Sequence, residues 1–224
     1  MPRLDSWLVE QGYFSSRQAA KRAIRAGHVK VNGEPAKPSK QIKGSESVTV
    51  SKEALDTPVG YLKLRQIDDS IGNVVTSTTL ALDIGSSAGG FLRYLAECGA
   101  TAIGVEVSEE FSQSLEELVN DYPNVSVLFD DAFTMDPLIV GENEKLDLLL
   151  IDVTTEPQGT LMLVKKFSVL LKKKGWLIAS FKSKTTPTAI SDLRDSVSRL
   201  GFAIVRDIVL DDTLHEFHLV AIRQ

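Results

Sequence analysis

From residue 80 onward, short apolar runs alternate with stretches of helical period, and this alternation leaves few architectures open to the chain. The runs are Leu80–Ile84, Ala102–Val107, Val125–Phe129, Leu146–Ile151 and Trp176–Phe181. Each is dominated by Leu, Ile, Val and Ala, the composition of a strand covered on both faces. Parallel strands need a crossover long enough to hold a helix, so strand and helix in turn predict a doubly wound sheet. Two more strands, Phe202–Val209 and Phe217–Ile222, follow a helix around Ile190–Leu200. The expected fold is α/β, a doubly wound sheet of seven strands closing in a hairpin-like pair.

In such sheets ligands bind beyond the carboxyl ends of the strands, so residues there are the first candidates for a site. The first strand runs into Asp83-Ile84-Gly85-Ser86-Ser87-Ala88-Gly89-Gly90-Phe91. Glycines at such a junction let the backbone turn sharply and approach a ligand, and the following helix offers its unpaired N–H groups. The spacing is Gly-x-x-x-Gly-Gly instead of Gly-x-Gly-x-x-Gly, and no Lys-Ser or Lys-Thr closes the loop, which argues against dinucleotide and P-loop readings. Glu106 ends the second strand, where a carboxylate can accept hydrogen bonds from both hydroxyls of a ribose. Asp130-Asp131-Ala132-Phe133 ends the third strand and Asp152 the fourth. These acids converge on one edge of the sheet.

The first part of the chain is of another kind. The net charge of −5 divides unevenly: residues 1–45 hold nine basic and three acidic residues, +6, which leaves −11 for the remainder. Apolar residues recur at helical spacing over Arg3–Leu8 and Ser16–Ala26, with Ser15 or Ser16 as N-cap and Gly27 as stop. The second helix turns Ala19, Ala20, Ala23 and Ile24 inward and leaves its cations on an outer arc. Short alternating strands follow in HVKVNGEPAK and SVTV, with Asn32-Gly33 as a tight turn. Residues 1–50 therefore form a small basic α+β domain suited to a polyanion, residues 51–60 (SKEALDTPVG) a linker, and residues 61–224 the α/β domain.

The stretch RLDSWLVEQGYFSSRQAAKRAIRAGHVKVNG resembles the alpha-L RNA-binding domain. That resemblance implies that Arg3, Arg17, Lys21, Arg22, Arg25, Lys30 and Asn32 contact an RNA backbone, by shape and charge more than by base edges. His28 reads equally as a contact or a turn residue. The α/β domain resembles the S-adenosylmethionine-dependent class I methyltransferases. On that resemblance Asp83, Gly85, Ser86, Ser87, Gly89, Gly90 and Phe91 face the methionine part of the cofactor. Glu106 faces its ribose, and Asp131, in preference to Asp130, faces its adenine with Phe133.

Four scattered residues narrow the chemistry: Lys63, Asp152, Lys182 and Glu216 resemble the Lys-Asp-Lys-Glu tetrad of FtsJ-like ribose 2′-O-methyltransferases. With an alpha-L domain ahead of it, the chain resembles the TlyA (haemolysin A) group of ribosomal RNA methyltransferases. A 2′-hydroxyl is a weak nucleophile and a sulfonium methyl needs no further activation, so the enzyme's task is to align the hydroxyl and receive its proton. Lys182 is expected to be the base, its pKa lowered by burial and by Lys63, with Asp152 and Glu216 orienting the ammonium groups. Lys184, two residues on, is the alternative if the register slips. The loop Val153-Thr154-Thr155-Glu156-Pro157-Gln158 matches neither common subgroup and leaves the RNA open.

Two other readings stay in view. One is transfer to another RNA acceptor, a base nitrogen or a transfer RNA ribose; Asp152-Val153-Thr154-Thr155 is not the Asn- or Asp-Pro-Pro-Tyr loop of base-nitrogen enzymes. The other is a non-catalytic RNA-binding or ribosome-assembly factor. No metal is expected, because only His215 and His218 of the three histidines are close in sequence, and a strand would send them to opposite faces. The single cysteine, Cys98, reads as a core thiol, and its solitude permits no internal disulfide. The opening MPRLDSWLVEQGYF makes a poor signal peptide, and no run approaches the roughly 20 apolar residues of a membrane span. A cytoplasmic place, with no membrane partner, is expected.

Overall fold

The computed structural model describes residues 1–14, 17–51, 58–183, 185–211 and 215–224. Two compact units emerge, Met1–Leu62 and Lys63–Gln224.

In the first unit, α1 (Leu4–Glu10) and α2 (Arg17–Arg25) precede a three-stranded sheet of β1 (Val29–Val31), β2 (Glu34–Pro35) and β3 (Val48–Val50), in the order β2-β1-β3. Leu4, Leu8, Ala20, Ala23, Ile24, Val29, Val31 and Ile42 make its core. Ala19 is buried with them, so all the residues expected on the inner face of α2 are there. Asn32 and Gly33 both take positive φ, 54° and 82°, the turn that matches the twist of a two-residue hairpin. The expected N-cap, Ser15 or Ser16, lies outside the described residues.

Helix α3 (Val59–Ile71) begins inside the stretch expected as linker; of that stretch, residues 52–57 lie outside the described residues. The second unit starts at Lys63. Its further elements in chain order are β4 (Leu80–Ile84), α4 (Gly90–Glu97), β5 (Thr101–Glu106), α5 (Ser112–Asp121), β6 (Val125–Phe129), β7 (Leu146–Ile151), α6 (Pro157–Phe167), β8 (Leu171–Phe181), α7 (Pro187–Arg199), β9 (Phe202–Ile208) and β10 (Phe217–Arg223). The sheet runs β6-β5-β4-β7-β8-β10-β9. Strands β6, β5, β4, β7 and β8 are parallel, and β10 lies antiparallel between β8 and β9. The antiparallel β10 therefore starts at the edge where the parallel strands end.

The central strands are buried on both faces, as their unbroken apolar runs require; Ala81–Ile84 and Leu148–Ile151 are almost without exposure. Phe181 and Phe217, cross-strand partners at the end of β8 and the start of β10, stack with ring centroids 5.5 Å apart. Each fully buried ring contributes about 1.5–3 kcal/mol of transfer free energy, which anchors the strand ends that carry the site. Strand β8 starts earlier than its apolar run, at Leu171, because pairing of Leu171 with Leu146 recruits the exposed Lys172–Lys174 stretch. A register shift between Leu146 and Leu148 and a positive φ at Lys174 mark the irregularity. Among the described residues no helix is long and apolar enough to cross a membrane.

Candidate active site

The strand order brings together the residues that sequence spacing keeps far apart. Lys63 sits on the first turns of α3, Asp152 follows β7, Lys182 follows β8, and Glu216 stands one residue before β10. Lys63 Nζ donates to Asp152 Oδ2 at 2.7 Å and to Glu216 Oε1 at 2.8 Å. Lys182 Nζ donates to Asp152 Oδ1 at 2.7 Å and to Glu216 Oε2. Two ammonium groups and two carboxylates thus close a ring in which each carboxylate oxygen receives one lysine. Its formal charges cancel. Lys63 is the most enclosed, its side chain 10% exposed, and Lys182 the most open, at 28%.

At Asp152, Glu216 and Lys182 burial works against charge, and the opposite charges decide the outcome. Burial raises Asp152, but Lys63 and Lys182 outweigh it and hold the carboxyl well below the usual range. Burial likewise raises Glu216, and Lys63 and Lys182 bring it below its ordinary value. For Lys182 burial alone would lower the ammonium; Asp152 and Glu216 reverse this and place it above the ordinary lysine value. The expectation of a Lys182 depressed by Lys63 is therefore corrected: Lys63 reaches the shared carboxylates, whose charge dominates. Lys184 lies outside the described residues.

Beside the ring, at the ends of β4–β7, opens a cleft of about 330 Å³. Gly85, Ser87, Glu106, Asp131 and Phe133 line it as expected, together with Asp130, Asp152 and several residues that carry no motif, among them Val107, Phe111 and Val153. Gly85 has φ +87°, and a Cβ there would lie 2.7 Å from the Asp152 carbonyl oxygen, so only glycine fits. The Glu106 carboxylate accepts from the backbone N–H groups of Ser87 at 2.7 Å, Val107 at 3.0 Å and Ser108 at 2.8 Å. It ties the glycine loop to the loop after β5. Asp131 Oδ1 accepts from the Phe133 N–H at 2.9 Å, and Lys166 of α6 donates to the Ala132 and Phe133 carbonyls, each at 2.9 Å.

Asp83, Ser86, Gly89, Gly90 and Phe91, expected around the cofactor, do not line the cleft. Gly89 is an αL N-cap whose missing side chain makes room for Leu115 and Leu118 of α5, and Phe91 is buried in α4. Ser86 turns inward and its hydroxyl donates to the Asp83 carbonyl. Asp83 is 1% exposed, and among the described residues neither of its carboxyl oxygens has a hydrogen-bond partner. Burial, reinforced by Asp152 and Glu106, pushes its pKa up to about 7.

In the first unit, two of the expected RNA-contacting cations are engaged internally: Arg3 Nε and Arg17 Nη2 reach Asp5 at 3.1 and 3.2 Å. Asn32 Oδ1 accepts from the Ser47 N–H at 2.8 Å and pins the hairpin to the chain before β3. Arg25 and Lys30 are exposed; Lys21 and Arg22 are half-buried. Among the described residues no three histidine, cysteine or acidic side chains gather as a metal site.

The sheet order, the glycine turn after its first strand and the ring at its parallel ends define a class I, Rossmann-like methyltransferase fold. Residues 59–195 match the FtsJ-like methyltransferase family, and the chain belongs to that family. Residues 2–48 match the S4 domain. A 16S/23S rRNA (cytidine-2′-O)-methyltransferase TlyA of Mycobacterium tuberculosis is 32% identical over 156 residues, 68% of this chain and 56% of that protein. The match thus spans about half the length of that relative. Among solved structures, a Streptococcus thermophilus protein described as a hemolysin is similar at 21% identity and TM-score 0.61, over 100% of this chain and 88% of the other. The fibrillarin of Aeropyrum pernix, solved with bound S-adenosyl-L-methionine, is similar at 18% identity and TM-score 0.61, over 82% and 85%. At such identity these two structures speak to the fold.

Proposed function

We propose that this chain transfers a methyl group from S-adenosylmethionine to a ribose 2′-hydroxyl of RNA, ribosomal RNA in particular, within the cytoplasm. The observation that carries the reading is the closed ring of Lys63, Asp152, Lys182 and Glu216 beside a cleft fit for the cofactor.

The residues fit the cofactor. The Asp83 carboxyl oxygens, without partners among the described residues, and the amides of the α4 N-terminus, where the Gly89 cap has no side chain to occupy them, suit the amino and carboxylate ends of a methionine. Glu106 Oε2, which accepts only the Ser87 N–H, keeps a lone-pair site for a ribose hydroxyl, and Val107, Phe111 and Phe133 offer apolar surface to an adenine whose amine donates to Asp130 or Asp131. When bound, adenosylmethionine supplies a methyl group already activated on a sulfonium.

The ring handles the proton. Lys182, the member most open to solvent, aligns the 2′-hydroxyl and, in its uncharged form, takes the hydroxyl proton on Nζ as the oxygen gains the methyl. Asp152 and Glu216 hold Nζ in place, and Lys63 holds both carboxylates from the enclosed side. With Lys182 uncharged the ring carries one net negative charge, and taking the hydroxyl proton returns it to neutrality.

The first unit supplies capture. We infer that residues 1–50 grip the RNA backbone through Lys21, Arg22, Arg25 and Lys30, with residues 61–224 performing the transfer. Arg3 and Arg17 act partly through Asp5, which sets their place on that face. The test is incubation with methyl-labelled adenosylmethionine and ribosomal RNA, followed by alkaline hydrolysis. Label in alkali-resistant dinucleotides is expected; label confined to mononucleotide bases would replace the ribose reading with the base-nitrogen one, and intact cofactor binding without transfer would favour an assembly factor.

A further inference from the structure

Behind the ring lies a second layer of polar side chains that proton transfer to Lys182 does not use. His218 of β10 pairs across the sheet with Ser180 of β8, and each is 1% exposed. His218 Nδ1 stands 2.8 Å from Ser180 Oγ. Its Nε2 stands 3.4 Å from Glu216 Oε1, the oxygen that also receives Lys63. The fully buried hydroxyl of Thr160, on α6, donates to the Ser180 carbonyl at 3.3 Å and secures the strand from below.

These surroundings settle which form of the imidazole belongs here. Lys63, Asp152, Lys182 and Glu216 are the charged groups around it; burial first, and Lys63 next, push its pKa down to about 4, so the ring is uncharged at neutral pH. An uncharged imidazole donates from one nitrogen and accepts at the other. A lone pair on Nε2 turned toward the Glu216 carboxylate is repelled, whereas an N–H there is attracted. Nε2 therefore carries the hydrogen, and Nδ1 accepts from the Ser180 hydroxyl, which is free to rotate into the donating position.

We propose that His218, held as its Nε2–H tautomer by the Glu216 carboxylate with Ser180 completing Nδ1, is a positioning residue for the transfer site, holding Glu216 Oε1 so that Oε2 stays on Lys182. This rests on the ribose-methylation reading above. An uncharged donor steadies the carboxylate without disturbing a ring whose charges cancel, which a lysine or arginine at 218 would not do. The 3.4 Å separation is long for a hydrogen bond, and contacts of this kind tighten when substrate completes the site. Loss of one hydrogen bond to a charged group corresponds to about a 10- to 100-fold change.

The whole protein labelled with 15N-histidine tests the tautomer directly, without RNA or cofactor. Nε2 should show the protonated and Nδ1 the unprotonated nitrogen shift, unchanged between about pH 8 and about pH 5.5. An Nδ1–H tautomer or a charged ring overturns the proposal. Kinetically, His218→Leu, which removes the donor, should lower kcat roughly tenfold with KM for adenosylmethionine unchanged. His218→Gln, which keeps an N–H near the Nε2 position, should restore most of that rate. A folded leucine variant with wild-type kcat, or no rescue by glutamine, overturns the role. If the leucine variant does not fold, Ser180→Ala carries the test: with Nδ1 left without its donor the imidazole is held less firmly and kcat should fall, whereas an unchanged kcat sinks the proposal. A wild-type protein that transfers no methyl to ribose would break the underlying reading instead, leaving the tautomer measurement to be judged alone.

Discussion

The two units use charge in opposite ways. The first displays it: the cations Arg25 and Lys30 stand exposed, and the segment 1–45 carries +6 over a core of small and aliphatic side chains. The second conceals it: in a segment of net −11, Lys63, Asp152 and Glu216 are mostly enclosed and cancel one another with Lys182. Displayed charge works at a distance, is screened by salt and tolerates imprecise placement. Enclosed charge is costly to desolvate, is repaid only by good geometry, and loses its purpose when one partner goes. The first arrangement suits holding a polyanion, and the second suits fixing one hydroxyl.

The sharpest way to break this contrast is Lys182→Ala. Loss of the proton acceptor should lower kcat by about 10²- to 10⁴-fold while cofactor affinity stays within a fewfold of wild type; retention of full activity would end the assignment of Lys182. Next in size is Asp83→Asn. The wild-type carboxyl titrates near 7 when folded and near 3.8 when unfolded, so a folded-state pKa above the unfolded one makes the ionised form destabilising. That penalty is absent below about pH 4, grows as pH rises and is complete above about pH 7, reaching on the order of 4 kcal/mol. The cofactor-free Asn variant should therefore gain on wild type between pH 4 and pH 7 in urea unfolding, while losing affinity for adenosylmethionine. A pH-independent difference would contradict the buried, donor-starved state of Asp83.

The pH dependence of transfer follows from Lys182. Its pKa lies above the ordinary lysine value, so the uncharged base is a minor form at neutral pH, and single-turnover rates should rise about tenfold per pH unit from about pH 6 to about pH 9. A flat profile would mean that another group takes the proton. The smallest expected effect belongs to the displayed charges: Lys21→Ala with Arg25→Ala should reduce the slope of log affinity against log salt by about 1 to 2 and leave kcat at saturating RNA unchanged. An altered kcat with an unaltered salt slope would erase the division of labour between the units.

Most of the architecture was legible because buried parallel strands announce themselves. Leu80–Ile84, Val125–Phe129 and Leu146–Ile151 have the bounds read from their apolar runs. Strand β8 took its limit from a neighbour, extending to Leu171 through pairing with β7, while α3 begins at Val59 within a stretch that reads as linker. At the cleft, the side chains that end strands were legible, since position in an α/β sheet determines their direction. Gly89, Gly90 and Phe91 shape the turn and the packing of α4 instead of lining the cleft, and a glycine-rich motif does not distinguish these duties. Phe111 and Val107 lie in loops with no periodicity to mark them.

By itself the sequence determined the alternation of strands and helices and the basic character of the first unit, because hydrophobic period and charge are local properties, whereas Lys63, Asp152, Lys182 and Glu216 stood out as a set only through resemblance to the FtsJ-like tetrad. Tertiary structure alone decided that these four close into a ring, that Lys182 is held charged by its carboxylates, and that His218 and Ser180 stand behind Glu216. The reason is physical: a pKa and a tautomer depend on which charges lie within a few ångströms, and it is the antiparallel insertion of β10 beside β8 that brings Glu216, 153 positions along the chain from Lys63, to within 2.8 Å of it.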